Sequence, residues 1–156
     1  MDYYSLLCST LFQAAVKSNH FKELHTFFFH NCIYDKLWKD PKLMKDSEID
    51  TNWLLDNFDG EYRVLIVGDA AMNRAELLGR NYNWLTGEYT SISGYSWLEI
   101  FKRHFPHLVW INPEPTPEYV SFWTETQVII SELISMYQLT ADGLELAMKE
   151  LMVRKA

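Results

Sequence analysis

The stretch Arg63-Val64-Leu65-Ile66-Val67-Gly68-Asp69-Ala70-Ala71-Met72 decides the fold. Apolar, mostly β-branched residues run into a glycine and then an aspartate. A continuous apolar run of this kind suits a strand buried on both faces, as in a parallel sheet. An acid just past the carboxyl end of such a strand stands where open α/β sheets place their ligands. Asp69 therefore has two readings. It caps the next helix, a task Asn73 can also perform, or it faces a ligand.

Working outward, Leu108-Val109-Trp110-Ile111 is a second buried-type strand, broken by Asn112-Pro113. Between the two runs, Arg74 to Leu78 is helical and stops near Gly79. Ser93 or Ser96 starts another helix that continues through Arg103. Upstream, Tyr3 to Ser18 has helical apolar spacing. His25 to His30 reads as a strand, Asn31-Cys32 as a turn, and Ile33 to Trp38 as a second strand. The pair is expected to form a hairpin at a sheet edge. Lys39 to Asp50 is charged, contains Pro41 and reads as a surface loop. Thr51 to Phe58 reads as a short helix with Asp50 or Thr51 as its N-cap. Pro113, Pro115 and Pro117 stiffen a loop. Thr126 to Met136 is a helix, and Thr140-Ala141-Asp142-Gly143 leads into a last helix through Val153. Helices alternating with buried strands predict a three-layer α/β domain spanning 1–156. No strand precedes the first helix, which is unusual for a doubly wound sheet.

The 156 residues suffice for one domain with a real core. Hydrophobic residues make up 48% and aromatic residues 15%, which excludes general disorder. Net charge is −7, and no segment concentrates enough Lys and Arg to follow phosphates, so nucleic acid is not an expected partner. No apolar run approaches the roughly 18 residues of a membrane span. The start lacks the basic region of a signal peptide. Cys8 and Cys32 do not make a disulfide framework. A soluble, cytoplasmic setting is expected.

Several segments resemble the CoxE-like von Willebrand factor A proteins. They are Tyr62–Met72, the helix ending Trp97-Leu98, the run Phe105-Pro106-His107-Leu108-Val109-Trp110-Ile111-Asn112-Pro113, and Met136-Tyr137-Gln138-Leu139-Thr140-Ala141-Asp142-Gly143-Leu144. Phe28-Phe29-His30-Asn31-Cys32-Ile33-Tyr34 is similar to that family's hairpin segment. The resemblance implies a three-layer doubly wound sheet with a metal-ion-dependent adhesion site. Such a site draws on a D-x-S-x-S loop after the first strand, a threonine, and an aspartate after the fourth strand. Asp69 matches the aspartate, and Thr51 is the counterpart of the threonine. In the family pattern Met1-Asp2 falls just after the first loop, so the resemblance implies an incomplete domain without its first central strand. Ala71 also departs from the pattern, where relatives often carry serine.

That gap bears on both metal and stability. Mg²⁺ takes near-octahedral oxygen ligands. Asp69 and Thr51 offer one anion and one neutral oxygen, so Mg²⁺ binding by this chain is expected to be weak or absent. Losing a central strand forfeits on the order of 10 kcal/mol of burial, against a typical whole-domain stability of about 5–15 kcal/mol.

Other chemistry is less well supported. His20, His25, His30, His104 and His107 form no H-E-x-x-H or other paired zinc spacing. The segment after Gly68 lacks the further glycines of a dinucleotide-binding turn. No G-x-S-x-G elbow makes Ser91, Ser93 or Ser96 a nucleophile. Cys32, beside aromatic residues, reads as an inert buried thiol. Tyr82, Trp84, Tyr89, Tyr95 and Trp97 read either as core or as a partner surface. The resemblance implies a protein-interaction module with metal-dependent partner binding, not an enzyme, acting as a chaperone or maturation factor with a MoxR-type AAA+ ATPase. The alternatives are a Mg²⁺-dependent α/β hydrolase, which needs a second acid at a neighbouring strand end, and an inactive gene fragment.

Overall fold

A computed structural model describes residues 22–84, 86–114 and 125–153. In chain order its elements are β1 (Lys36–Trp38), a 3-10 turn (Lys45–Ser47), β2 (Glu48–Asp50), α1 (Thr51–Asn57), β3 (Val64–Val67), α2 (Arg74–Leu78), β4 (Tyr82–Asn83), β5 (Glu88–Tyr89), α3 (Gly94–His104), β6 (Leu108–Asn112), α4 (Glu125–Leu133), β7 (Met136–Gln138) and α5 (Ala141–Met152). The helix read at Tyr3–Ser18 lies outside the described residues.

Both apolar runs form parallel strands. β3 pairs with β6 and β6 with β7, giving a three-stranded sheet in the order β3-β6-β7. All five residues of β6 are buried, as expected of a strand covered on both faces. Strand alternation sorts the side chains into two cores. Ile66, Leu108 and Trp110 pack with residues of α1 and α3, while Val109 and Ile111 pack with Ala147 and Leu151 of α5. Helices therefore cover both faces, as the α/β reading requires, with α2, α3 and α4 in mutual contact on one side and α5 against β6 and β7 on the other. No helix among the described residues is long and apolar enough to cross a membrane.

The caps explain where the helices begin. Asn73 accepts the Ala75 amide while Glu76 reaches back to the Asn73 amide, a reciprocal capping box for α2. Asn73, not Asp69, is thus the cap. Ser93 caps α3 by accepting the Ser96 amide. The buried residues Gly94, Trp97, Leu98 and Phe101 of α3 recur at helical spacing, and Lys102, Arg103 and His104 in its last turn suit the negative end of the helix dipole. A Cβ at Gly94 would lie 2.9 Å from Cys32 Sγ, so the missing side chain lets α3 start directly against that thiol. Asp50 stands at the N-cap position of α1 but makes no capping bond; its carboxylate instead pairs with Lys36.

The edge hairpin differs from the sequence reading. β1 pairs antiparallel with β2, which lies inside the segment expected to be a loop. His25–His30 forms no strand and meets β1 through one bridge, Phe28 with Trp38. Phe27 and Phe29 are drawn into packing against the main core, which turns the segment away from regular pairing. Asn31 makes the expected turn at φ 60°, a conformation asparagine tolerates. Downstream, the helix expected to reach Met136 ends at Leu133, and Met136–Gln138 is a strand that sequence patterning does not reveal. Three residues without a β-branched side chain give too weak a signal; pairing with buried β6 supplies the order.

Cys32 is buried as expected, and burial pushes its thiol up to about 12. The neighbouring Tyr34 hydroxyl donates to the Glu76 carbonyl at 2.8 Å, and burial raises its pKa as well.

Two outcomes test this packing. At Gly143 any Cβ would run into the Gln138 carbonyl oxygen, which belongs to rigid strand backbone. Gly143→Ala should cost about 3 kcal/mol, the upper end for overpacking, measured by urea unfolding. The Cys32 thiol has an ordinary value of 9.0 when unfolded, so the unfolded chain ionises first between about pH 9 and 12 and stability falls over that window. In a Cys8→Ser background, alkylation of Cys32 at pH 8 should follow the unfolding rate; fast labelling of the native protein would contradict this burial.

Candidate functional site

Residues 68–72 form the loop that leaves the carboxyl end of β3, and side chains of β6 and α4 hold its carbonyls. Trp110 Nε1 donates to the Gly68 carbonyl at 2.7 Å. Asn112 Nδ2 and Gln127 Nε2 both donate to the Asp69 carbonyl, at 3.0 and 2.8 Å. The Thr126 hydroxyl lies 2.9 Å from the Ala70 carbonyl and 3.1 Å from that of Met72, which share its one proton, and it accepts the Met72 amide at 3.1 Å. Buried backbone polar groups need such partners, and these side chains supply them where regular strand pairing stops.

The loop is also strained. Ala70 is buried and has φ 56°, a left-handed conformation that costs a residue with a Cβ roughly 1–2 kcal/mol. The side-chain bonds to Asp69, Ala70 and Met72 hold it there. The result is that the Asp69 side chain points outward. It is exposed, and its Oδ1 accepts the Ala71 amide at 3.0 Å. Beside it, Arg74 and Glu125 form an exposed ion pair at 2.7 Å.

Thr51 sits elsewhere in the bonding pattern. It is fully buried at the start of α1, its hydroxyl donates to the Tyr34 carbonyl, and its amide donates to the Asp35 carbonyl at 2.8 Å. The Asp35 carboxylate in turn accepts the Ser91 amide and hydroxyl at 2.7 and 2.9 Å and Trp97 Nε1 at 2.9 Å. Thr51 and Asp35 tie the edge hairpin to α1 and α3. No hydrogen bond brings Thr51 to Asp69. Asp69 is thus exposed and Thr51 buried with its hydroxyl given to a carbonyl, and among the described residues no three His, Cys, Asp or Glu side chains gather closely enough to hold a metal. The same holds for the described histidines.

The aromatic segment divides. Trp97 is core, and Tyr95 is packed against it half-buried. The β4–β5 hairpin instead projects an exposed cluster, with Trp84 87% and Tyr89 65% accessible and the Tyr82 ring edge-to-face with both at 4.9 and 5.3 Å.

Among these residues, Asp69 and the terminal amide of Asn112 are visible in the sequence as polar residues closing apolar runs. Thr126 and Gln127 carry no such mark, because they reach the loop from α4, more than fifty positions along the chain. No protein-family model, curated protein or solved structure matches this chain.

The role of Thr126 is testable. Thr126→Val keeps the shape but orphans the Met72 amide and two carbonyls, and should cost about 1–3 kcal/mol. Urea unfolding measures it; a change under a few tenths of a kcal/mol would show that the loop does not depend on this hydroxyl.

Proposed function

We propose that this chain is a protein-interaction module, not an enzyme, and that it engages its partner through the rim carrying Asp69. What supports this is the combination of a strained, side-chain-pinned loop with a carboxylate left facing solvent. Strain of this kind persists where the surroundings over-determine it and clusters at binding sites. A fixed carboxylate at the rim loses little conformational freedom when a cationic or amide-rich surface docks on it. The hydrolase alternative needs a second acid beside Asp69, whereas β6 ends in Asn112, whose amide is spent on the Asp69 carbonyl.

The partner proposed is a MoxR-type AAA+ ATPase, and the role that of a chaperone or maturation factor; both rest on the resemblance of the quoted segments to CoxE-like von Willebrand factor A proteins. Because Asp69 and Thr51 supply only one anion and one neutral oxygen, we propose that the contact is direct and not bridged by a divalent cation.

Asp69→Ala should abolish co-precipitation of the ATPase while leaving the unfolding midpoint unchanged, because the side chain is exposed and its one bond is to a loop amide. Binding should also persist in EDTA. Undiminished capture by the Ala variant would overturn the reading, and loss on chelation would show that contact is not direct.

A further inference from the structure

Among the described residues, one edge of β3 has no ladder partner. The backbone groups of Val64, Ile66 and Gly68 are turned to β6, with the Val64 amide 2.8 Å from the His107 carbonyl and the Gly68 amide 3.1 Å from that of Ile111. Alternation turns the amides and carbonyls of Leu65 and Val67 to the opposite side. There, no backbone group among the described residues meets them.

Alongside this strand runs the segment 22–31, which forms no regular strand. It follows β3 from end to end. Glu23 accepts the Tyr62 hydroxyl at 2.7 Å, and a Phe29 ring atom lies 3.4 Å from the position of a Cβ on Gly68. Yet no backbone hydrogen bond joins the two segments, because Phe28 pairs with Trp38 instead. Between them lies a slot of about 1460 Å³. That exceeds the ~300–1,000 Å³ of ordinary small-molecule pockets. Leu54, Phe101 and Phe105 line it from one helical layer, and Met148 and Leu151 from the other.

We propose that this slot receives one extended segment of a partner polypeptide, inserted as a strand beside β3. Three features define its chemistry. The amides and carbonyls of Leu65 and Val67, unpaired among the described residues, repeat at the spacing of a strand, which only another extended backbone matches. Apolar walls on both sides require apolar side chains at successive positions, not at alternate ones. Around the mouth, the carboxylates Glu23, Asp59, Glu61 and Asp69 outnumber Lys22, Lys42 and Arg63, and the whole chain carries −7. The flanks of the inserted strand are therefore basic.

The test uses the full chain and a synthetic peptide of about five valine and isoleucine residues, a common strand length, between lysine pairs. A second peptide carries N-methyl groups on alternate amides. The first peptide should bind, raise Tm and slow amide exchange at Leu65 and Val67 at least about tenfold, while N-methylation should weaken binding about tenfold or more, the scale of one to two lost hydrogen bonds. Equal binding of both peptides would reduce the slot to an apolar sink and overturn the proposal. So would absent binding, unprotected Leu65 and Val67 amides, or protection that grows with protein concentration alone, which would assign the edge to a second copy. Asp69→Ala removes the rim contact proposed above and one of the slot's acidic groups but leaves the Leu65 and Val67 ladder, so protection of those two amides by the peptide separates this proposal from the first.

Discussion

The parallel ladder between β3 and β6 is the joint that organises this protein. β6 is buried along its whole length and carries side chains into both cores, so both helical layers pack on it. Its register also sets the chemistry at the end of the sheet. With Val67 opposite Ile111, Trp110 falls beneath the Gly68 carbonyl and Asn112 beneath that of Asp69. A slip of one residue would turn every β6 side chain to the wrong face and withdraw both donors together.

The loop above that ladder shows how a fold creates a fixed acid without burying it. Most of the bonding effort goes to backbone carbonyls rather than to the carboxylate. Two side-chain amides, an indole and a hydroxyl satisfy the chain as it leaves the strand, and the left-handed turn at Ala70 follows from where those donors stand. The acid is oriented by its own backbone, and its charge remains available. Thr51 illustrates the opposite use of a polar group, spent wholly on joining a hairpin to a helix.

What could be read from the sequence follows the range of the forces involved. The buried runs at Val64–Val67 and Leu108–Ile111, the helices after Asp50, Asn73 and Ser93, and the acid at the strand end all carry local signals. Apolar continuity, a capping residue or a glycine marks each one. Pairing partners carried none. β1 was expected to pair with His25–His30, yet it pairs with Glu48–Asp50, where a single isoleucine sits between two acids. β7 is ordered by a neighbour distant in the chain. The candidate site divides in the same way: Asp69 and Asn112 close visible runs, whereas Thr126 and Gln127 look like ordinary helix residues until α4 is laid against the loop. The von Willebrand factor A type of sheet stays an expectation from resemblance; the mixed α/β architecture with a parallel sheet is what the fold shows.

The contact between Gly94 and Cys32 has an evolutionary corollary. Because the first turn of α3 rests on a sulfur atom at van der Waals range, the two positions share one small volume. A side chain at position 94 would also meet the Tyr34 ring at 3.0 Å, so room there needs both neighbours to give way. Homologues should therefore keep glycine at this position wherever a thiol and an aromatic ring stand opposite it.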